Sequence, residues 1–511
     1  MCCITHLMNS SDIRQLRARF GETQAQFGRR FGVTQITVGY WENGRSQPAR
    51  RRLVELAALA SSAPANKTPM AAFRPIQYLG SKQRLAETIA AVVAEVAPGT
   101  DRVGDLFAGS GVVSAFIGRD RPVTAVDVQA FSEVLTTALL EGRAEDYARL
   151  THRTFIERAR SIASQIEMHL SPLLAVEGEA LQDAVTGNPE KLVDLMEFGS
   201  LAIHNQRPHE SCPSSLSRLL SQANAQLDAS DFTVRDLTAT RYFGGPYFAY
   251  RQAIALDAIY ISARMLKNAS SKRHAMAVLL STASEIVNTV GKQFAQPMRL
   301  KKADGSVPAL LLRRALRDRA FDAIGMFQAW AARYQEQALS GPCRHDVVRG
   351  DVLDFVERDR SCRMYYADPP YTIDHYSRFY HVLETLVLRD SPKLAEMTKS
   401  GRIAVMRGVY RADRHQSLFC VPSTAPQAFA HLFSGAAKHG AALVMSYSPY
   451  DENEGQRARL MPLKDLVATA GRSYRRVSVM EITGHSHRKL NAKAQNTTIR
   501  SDAERLIICE A

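Results

Sequence analysis

Two regimes of apolar patterning divide this chain. Short strand-like runs occur at 103–106, 122–127, 364–367, 441–448, 475–482 and 504–509; the second ends in Asp127, the third meets Asp368 and the fourth Pro449. Runs of this length and punctuation predict buried strands. The stretch 151–339 differs: β-branched runs are few and helix formers many, as in Gln252-Ala253-Ile254-Ala255-Leu256-Asp257-Ala258-Ile259-Tyr260. It predicts a helical domain inserted into an α/β domain made of 73–150 and 340–511. Nearer the start, Asp12-Ile13-Arg14-Gln15-Leu16 opens a helix and Thr23 to Phe31 reads as a second. Gly32-Val33 forms the turn, and Thr34 caps a third helix reaching Trp41, which Glu42-Asn43-Gly44-Arg45 ends. Ala25, Phe27, Phe31, Val33, Val38 and Trp41 supply one small core, so 9–60 is expected to be a separate all-α domain. The small, polar, Pro-containing run Ser61 to Pro69 marks 61–72 as a linker.

With 511 residues the chain has room for two or three domains and a large core. A formal charge of +14 favours a polyanionic partner. Nucleic acid is preferred over membrane, since no apolar run approaches transmembrane length. The start, Met1-Cys2-Cys3-Ile4-Thr5-His6, lacks a basic region followed by an apolar stretch, so no secretory signal is expected. Seven cysteines without CxxC pairs read as reduced thiols, which places the protein in the cytoplasm. The pair His485 and His487 has no further ligand spacing, so no metal is expected.

Chemistry concentrates at the ends of two of the predicted strands. Val103-Gly104-Asp105-Leu106-Phe107-Ala108-Gly109-Ser110-Gly111 is a strand running into a glycine-rich turn and then a helix. Gly109 and Gly111 let a ligand approach the backbone, as in a doubly wound, Rossmann-like sheet. The next strand ends in Asp127, suitably spaced to accept ribose hydroxyls. Several nucleotide cofactors use a glycine pair with an acid. Ser114 stands where a dinucleotide fingerprint has its third glycine, which argues against a pyrophosphate. Upstream, Tyr78 and Lys82 offer a ring and a cation for a methionine carboxylate, which favours S-adenosylmethionine. The other strand end is Asp368-Pro369-Pro370-Tyr371. Two prolines stop the strand and hold a rigid turn. The Asp368 carboxylate and Pro369 carbonyl can then accept both hydrogens of an exocyclic amine while Tyr371 stacks on its ring. Alone, the tetrapeptide could also be an ordinary proline turn.

Taken in order, Tyr78-Leu79-Gly80-Ser81-Lys82, Asp105-Leu106-Phe107-Ala108-Gly109-Ser110-Gly111, Asp127 and Asp368-Pro369-Pro370-Tyr371 resemble the alpha class of DNA N6-adenine methyltransferases, the Dam-like family. The resemblance covers most of 73–511. It implies that 151–339 is the target-recognition domain and that Tyr78, Lys82, Asp105, Phe107, Gly109, Gly111, Asp127 and Asp368 surround S-adenosylmethionine. Asp351 is implied at the cofactor adenine, and Asp368, Pro369, Pro370 and Tyr371 at the reacting base. Two features depart from the best-known members: the insert is longer, and Tyr78 stands where some have Trp. Residues 9–60 resemble the XRE-type, phage-repressor helix-turn-helix. That likeness implies Gln35, Ile36, Thr37 and Tyr40 at base edges, with Arg14, Arg17, Arg45 and Arg50 near phosphates.

The expected partner is double-stranded DNA, with the target adenine flipped out of the duplex. A cognate restriction endonuclease and dimerisation through the helix-turn-helix both remain open, as does an autoregulatory role. Arg378 and His381 are candidates for the phosphate beside the flipped base, and Arg488, in the basic run 485–493, for backbone contact. Arg241 to Gln252, rich in aromatics, reads either as a base contact or as a packed turn. Alternatives at the level of activity are a cofactor-sensing transcription regulator and N4-cytosine or RNA adenine methylation. Pro342-Cys343 lacks the partner motifs of C5-cytosine chemistry and reads as incidental.

Overall fold

The computed structural model describes residues 13–14, 16–17, 23–43, 46–49, 52–53, 55–56, 73–78, 80–99, 101–339, 343–373, 375–399, 401–448, 460–482 and 504–510. The linker 61–72, Arg45, Arg50, Pro342 and the basic run 485–493 with Arg488 lie outside them. The chain separates into residues 1–73 and 74–511.

In the first unit, helices Gln24–Arg30 and Gln35–Glu42 flank a turn at Gly32. Thr23 and Gln26 form a reciprocal cap, and the Thr34 hydroxyl accepts from the Thr37 amide. Each cap satisfies backbone donors that a helix start leaves open. Ile13, Leu16, Phe27, Phe31, Val38, Trp41 and Leu56 make the core, with Val33 against it; Ala25 is only half-buried.

The second unit is built on a seven-stranded sheet. Its strands are β1 Val103–Leu106, β2 Val123–Asp127, β3 Asp346–Arg349, β4 Met364–Ala367, β7 Ala442–Tyr447, β8 Arg476–Ile482 and β9 Glu504–Glu510, in the order β3-β2-β1-β4-β7-β9-β8. The first five in that order pair in parallel, and β9 runs antiparallel to both of its neighbours. Strands β5 Glu396–Lys399 and β6 Arg402–Val405 form a separate hairpin. Side chains alternate across β4: Tyr365 and Ala367 join one buried cluster, Met364 and Tyr366 the other. Helices cover both faces, with Ala425–Ala437 and Val352–Arg358 on the first and Ala86–Val96 and Val112–Ile117 on the second. The order of strands reverses between β1 and β4, the place where such sheets bind ligands at their carboxyl ends.

Among the described residues, the chain passes from β2 to β3 through helices alone. Within that passage Leu173, Leu195, Leu220, Ile254 and Met298 belong to an apolar cluster of their own. Buried ions brace it. Glu177 accepts the Tyr250 amide at 2.9 and 3.0 Å and faces Arg319. Asp257 pairs with Arg389 at 3.0 Å.

Candidate active site

Leu106 of β1 and Ala367 of β4 are register partners, so the glycine-rich turn and the Asp368 turn leave adjacent strands side by side. Phe107, Gly109 and Gly111 all take positive φ (65°, 56° and 74°). A Cβ on Gly109 would stand 2.8 Å from the Tyr78 ring, so only glycine fits there. The turn brings the Gly109 amide to the Asp127 carboxylate at 2.9 Å, and the Gln129 amide donates to its other oxygen at 2.9 Å. Burial raises the Asp127 pKa, against those two donors. Asp105 is 1% exposed, and the Ser114 hydroxyl donates to it. Burial pushes its pKa up to about 7.

Two adjoining cavities share Tyr78, Phe107 and Asp368. The larger, about 880 Å³ out to its open mouth, adds Asp127, Asp351, Leu353, Pro370 and Phe419. The smaller, about 330 Å³, adds Lys82, Asp105, Gly109 and Tyr366. Gly111 forms the helix start behind the turn and packs on Thr136. Asp351 caps Val352–Arg358 through the Leu353 amide at 2.8 Å. Pro369 is buried beneath the turn. Tyr371 is half-buried, its ring edge-on to Tyr447 at 5.3 Å. The Tyr78 ring stacks on Tyr380 at 4.8 Å.

Lys82 lines the smaller cavity with partners already in place. Its buried ammonium lies 2.9 Å from Asp368 and 3.1 Å from Glu504, so it is taken up by two carboxylates of the protein. Burial would depress its pKa, but Asp368 and then Glu504 hold it well above the ordinary value. Glu504 was not foreseen, because nothing in β9 as a sequence marks it as a neighbour of Lys82. Glu384 was also missed: its carboxylate receives the Ala130 and Phe131 amides at 3.0 and 3.1 Å. It thereby ties the helix after the Asp368 turn to the helix that follows Asp127.

One expected DNA contact is corrected, and one open reading is decided. His381 is fully buried, with Nε2 3.1 Å from the Phe294 carbonyl and 3.2 Å from the Tyr247 hydroxyl. Burial pushes its pKa down to about 3, so it is a neutral core histidine and not a phosphate ligand. Arg378 is exposed. Arg241 to Gln252 is a packed turn: Phe243, Tyr247, Phe248 and Tyr250 are completely buried, and Arg241 pairs with Asp228 at 2.7 Å. In the first unit, Arg17 pairs with the buried Glu42 at 2.6 Å, and Arg14 donates to the Glu42 carbonyl at 2.7 Å. Both brace the helix from Gln35, and Arg14 remains exposed. That helix leaves Gln35 exposed, Ile36 66% exposed and Tyr40 45% exposed, with Thr37 half-buried.

Comparison with known families agrees with the motifs. Residues 78–169 match the family model of the D12 class N6 adenine-specific DNA methyltransferases, and residues 13–59 match a helix-turn-helix model. The family models thus find a D12-class methyltransferase domain within 78–169 and a helix-turn-helix within 13–59. No curated protein matches the chain. Among the described residues, no helix is long and apolar enough to cross a membrane.

Proposed function

We propose that this protein transfers a methyl group from S-adenosylmethionine to N6 of an adenine extruded from duplex DNA, acting in the cytoplasm. One observation carries the reading: Asp368, at the end of β4, faces both cavities beside the glycine-rich turn of β1. The residues present fit the cofactor. Asp127, its inner lone pairs already engaged by amides, offers acceptors to ribose hydroxyls. Phe107, Leu353 and Phe419 give apolar walls for a flat ring, and Asp351 a polar edge.

When bound, the cofactor supplies an electrophilic methyl group on sulfur. The work left to the chain is to make a poor nucleophile competent. An aromatic amine delocalises its lone pair into the ring; accepting its two N–H bonds at the Asp368 carboxylate and the Pro369 carbonyl draws that pair out of conjugation. The Lys82–Glu504 pair fixes the Asp368 carboxylate from behind. Holding the reactants in line supplies much of the acceleration, about 7–11 kcal/mol in well-aligned systems. Extrusion of the base costs a few kcal/mol and is offset by contacts in the pocket, with Tyr371 as the stacking ring.

Helices of 151–339 serve in this reading as the inserted target-recognition domain. Gln35, Ile36, Thr37 and Tyr40 read a duplex, as an autoregulatory element of a restriction-modification, phage or defence system. Incubation with tritiated S-adenosylmethionine tests the activity: label is expected in duplex DNA. Tight cofactor binding with no transfer to any nucleic acid would refute it.

A further inference from the structure

The arginines of the segment after β6 are unequal. Arg402 pairs with Glu210, Arg407 with Glu197, and Arg411 with both Asp390 and Asp413, all at 2.6–3.0 Å. Arg414 has no carboxylate partner among the described residues, and neither has the exposed Arg378. These two converge on one ring: their guanidinium carbons lie 4.9 and 5.3 Å from the centre of Tyr410. Tyr410 is itself fixed, its hydroxyl donating to the Ala295 carbonyl and its ring edge-on to His381 at 4.9 Å. The Nε–H of Arg414 is buried and finds no acceptor among the described residues. Burial and the neighbouring Arg378 charge both depress the Arg414 pKa. Two like charges at the surface, with no carboxylate beside them among the described residues, attract an anion.

Their position says which anion. Arg378 directly follows His375, Tyr376 and Ser377, and Arg414 directly precedes His415; all four of those neighbours line the larger cavity. The two arginines thus flank, along the chain, residues that line the cleft Asp368 faces. We propose that Arg378 and Arg414, stacked on Tyr410, clamp a DNA backbone phosphate beside the extruded nucleotide, the task that His381 cannot perform. Stacked guanidiniums present forked donors to a phosphate while the ring fixes their planes. The inference rests on the proposed DNA substrate, and its test is independent of catalysis.

Binding of the full-length protein to a mixed-sequence duplex of about 30 base pairs is followed by fluorescence anisotropy between about 50 and 200 mM salt. Replacing Arg378→Gln should make the log–log salt slope shallower by about 1, and Arg378→Gln with Arg414→Gln by up to about 2. Arg378→Lys with Arg414→Lys keeps the charge and should restore most of the slope, separating a clamp from a packing role. Affinity for S-adenosylmethionine should stay within about twofold in every variant. An unchanged slope in the folded single variant would overturn the clamp, and so would a loss confined to cofactor affinity, which would give the pair to the cofactor carboxylate. Failure of the wild type to methylate DNA would refute the activity alone, leaving the slope to decide the clamp.

Discussion

The two turns that meet at the ends of β1 and β4 are built in opposite ways. After β1 the chain bends through three positive-φ residues, Phe107, Gly109 and Gly111, and presents amides, one of which already holds Asp127. After β4 it stops on two prolines, which carry no amide hydrogen and fix their own φ, leaving only acceptors beside Asp368. The first turn suits close approach of a ligand to backbone; the second suits accepting hydrogens from one. In the proposed function, binding and chemistry are thus divided between neighbouring strand ends.

Breaking one turn should therefore leave the work of the other intact. The largest effect is expected from Asp368→Ala: the methyl-transfer rate should fall on the order of 10²–10³-fold, as when one positioned transition-state partner is removed. Cofactor affinity by calorimetry should change only a few-fold. Gly111→Ala tests the opposite side. Its Cβ would meet Thr136 at 2.7 Å in a backbone with φ of 74°, so cofactor affinity should drop about tenfold and stability by ~2 kcal/mol. Transfer from bound cofactor should persist.

A smaller, pH-dependent effect sharpens the contrast. Asp105, beneath the glycine turn, has its pKa raised from 3.8 to about 7 by burial. Below 3.8 both folded and unfolded chains hold its proton. Between there and pH 7 only the unfolded chain ionises, so stability falls as pH rises, and above pH 7 the penalty is constant. Asp105→Asn should flatten this decline, by no more than ~1.4 kcal/mol per pH unit, in melting curves taken from pH 4 to 8. Smallest of all, Ile36→Ala and Tyr40→Ala touch neither turn. Both side chains are exposed, so stability should stay within about 0.5 kcal/mol and the transfer rate should be unchanged, while duplex binding by the helix-turn-helix weakens.

What the sequence made legible follows the same division. Turns and caps are local: Gly109, Gly111, Pro369 and Pro370 act through their own backbone and Thr23 and Thr34 through hydroxyls that reach three residues on, so their neighbours suffice to read them. Partnerships across the chain are not local. Lys82 reads as a free cation until β9 inserts between β7 and β8 and brings Glu504 beneath it. Arg17 reads as a free cation until the buried carboxylate of Glu42 meets it. The imidazole of His381 reads as a phosphate contact, and the aromatic run from Arg241 as a base contact or a packed turn, because aromatic and basic residues serve surfaces and cores alike; only burial distinguishes the uses. Arg414 carried no motif at all, and its meaning comes from Tyr410 and the cleft beside it.

The most direct test of the central claim is mass analysis of nucleosides digested from duplex DNA after incubation with the protein and S-adenosylmethionine. N6-methyladenine should appear with the wild type and vanish with Asp368→Ala while that variant still binds cofactor. N4-methylcytosine as the product, or undiminished N6-methyladenine from Asp368→Ala, would contradict the account.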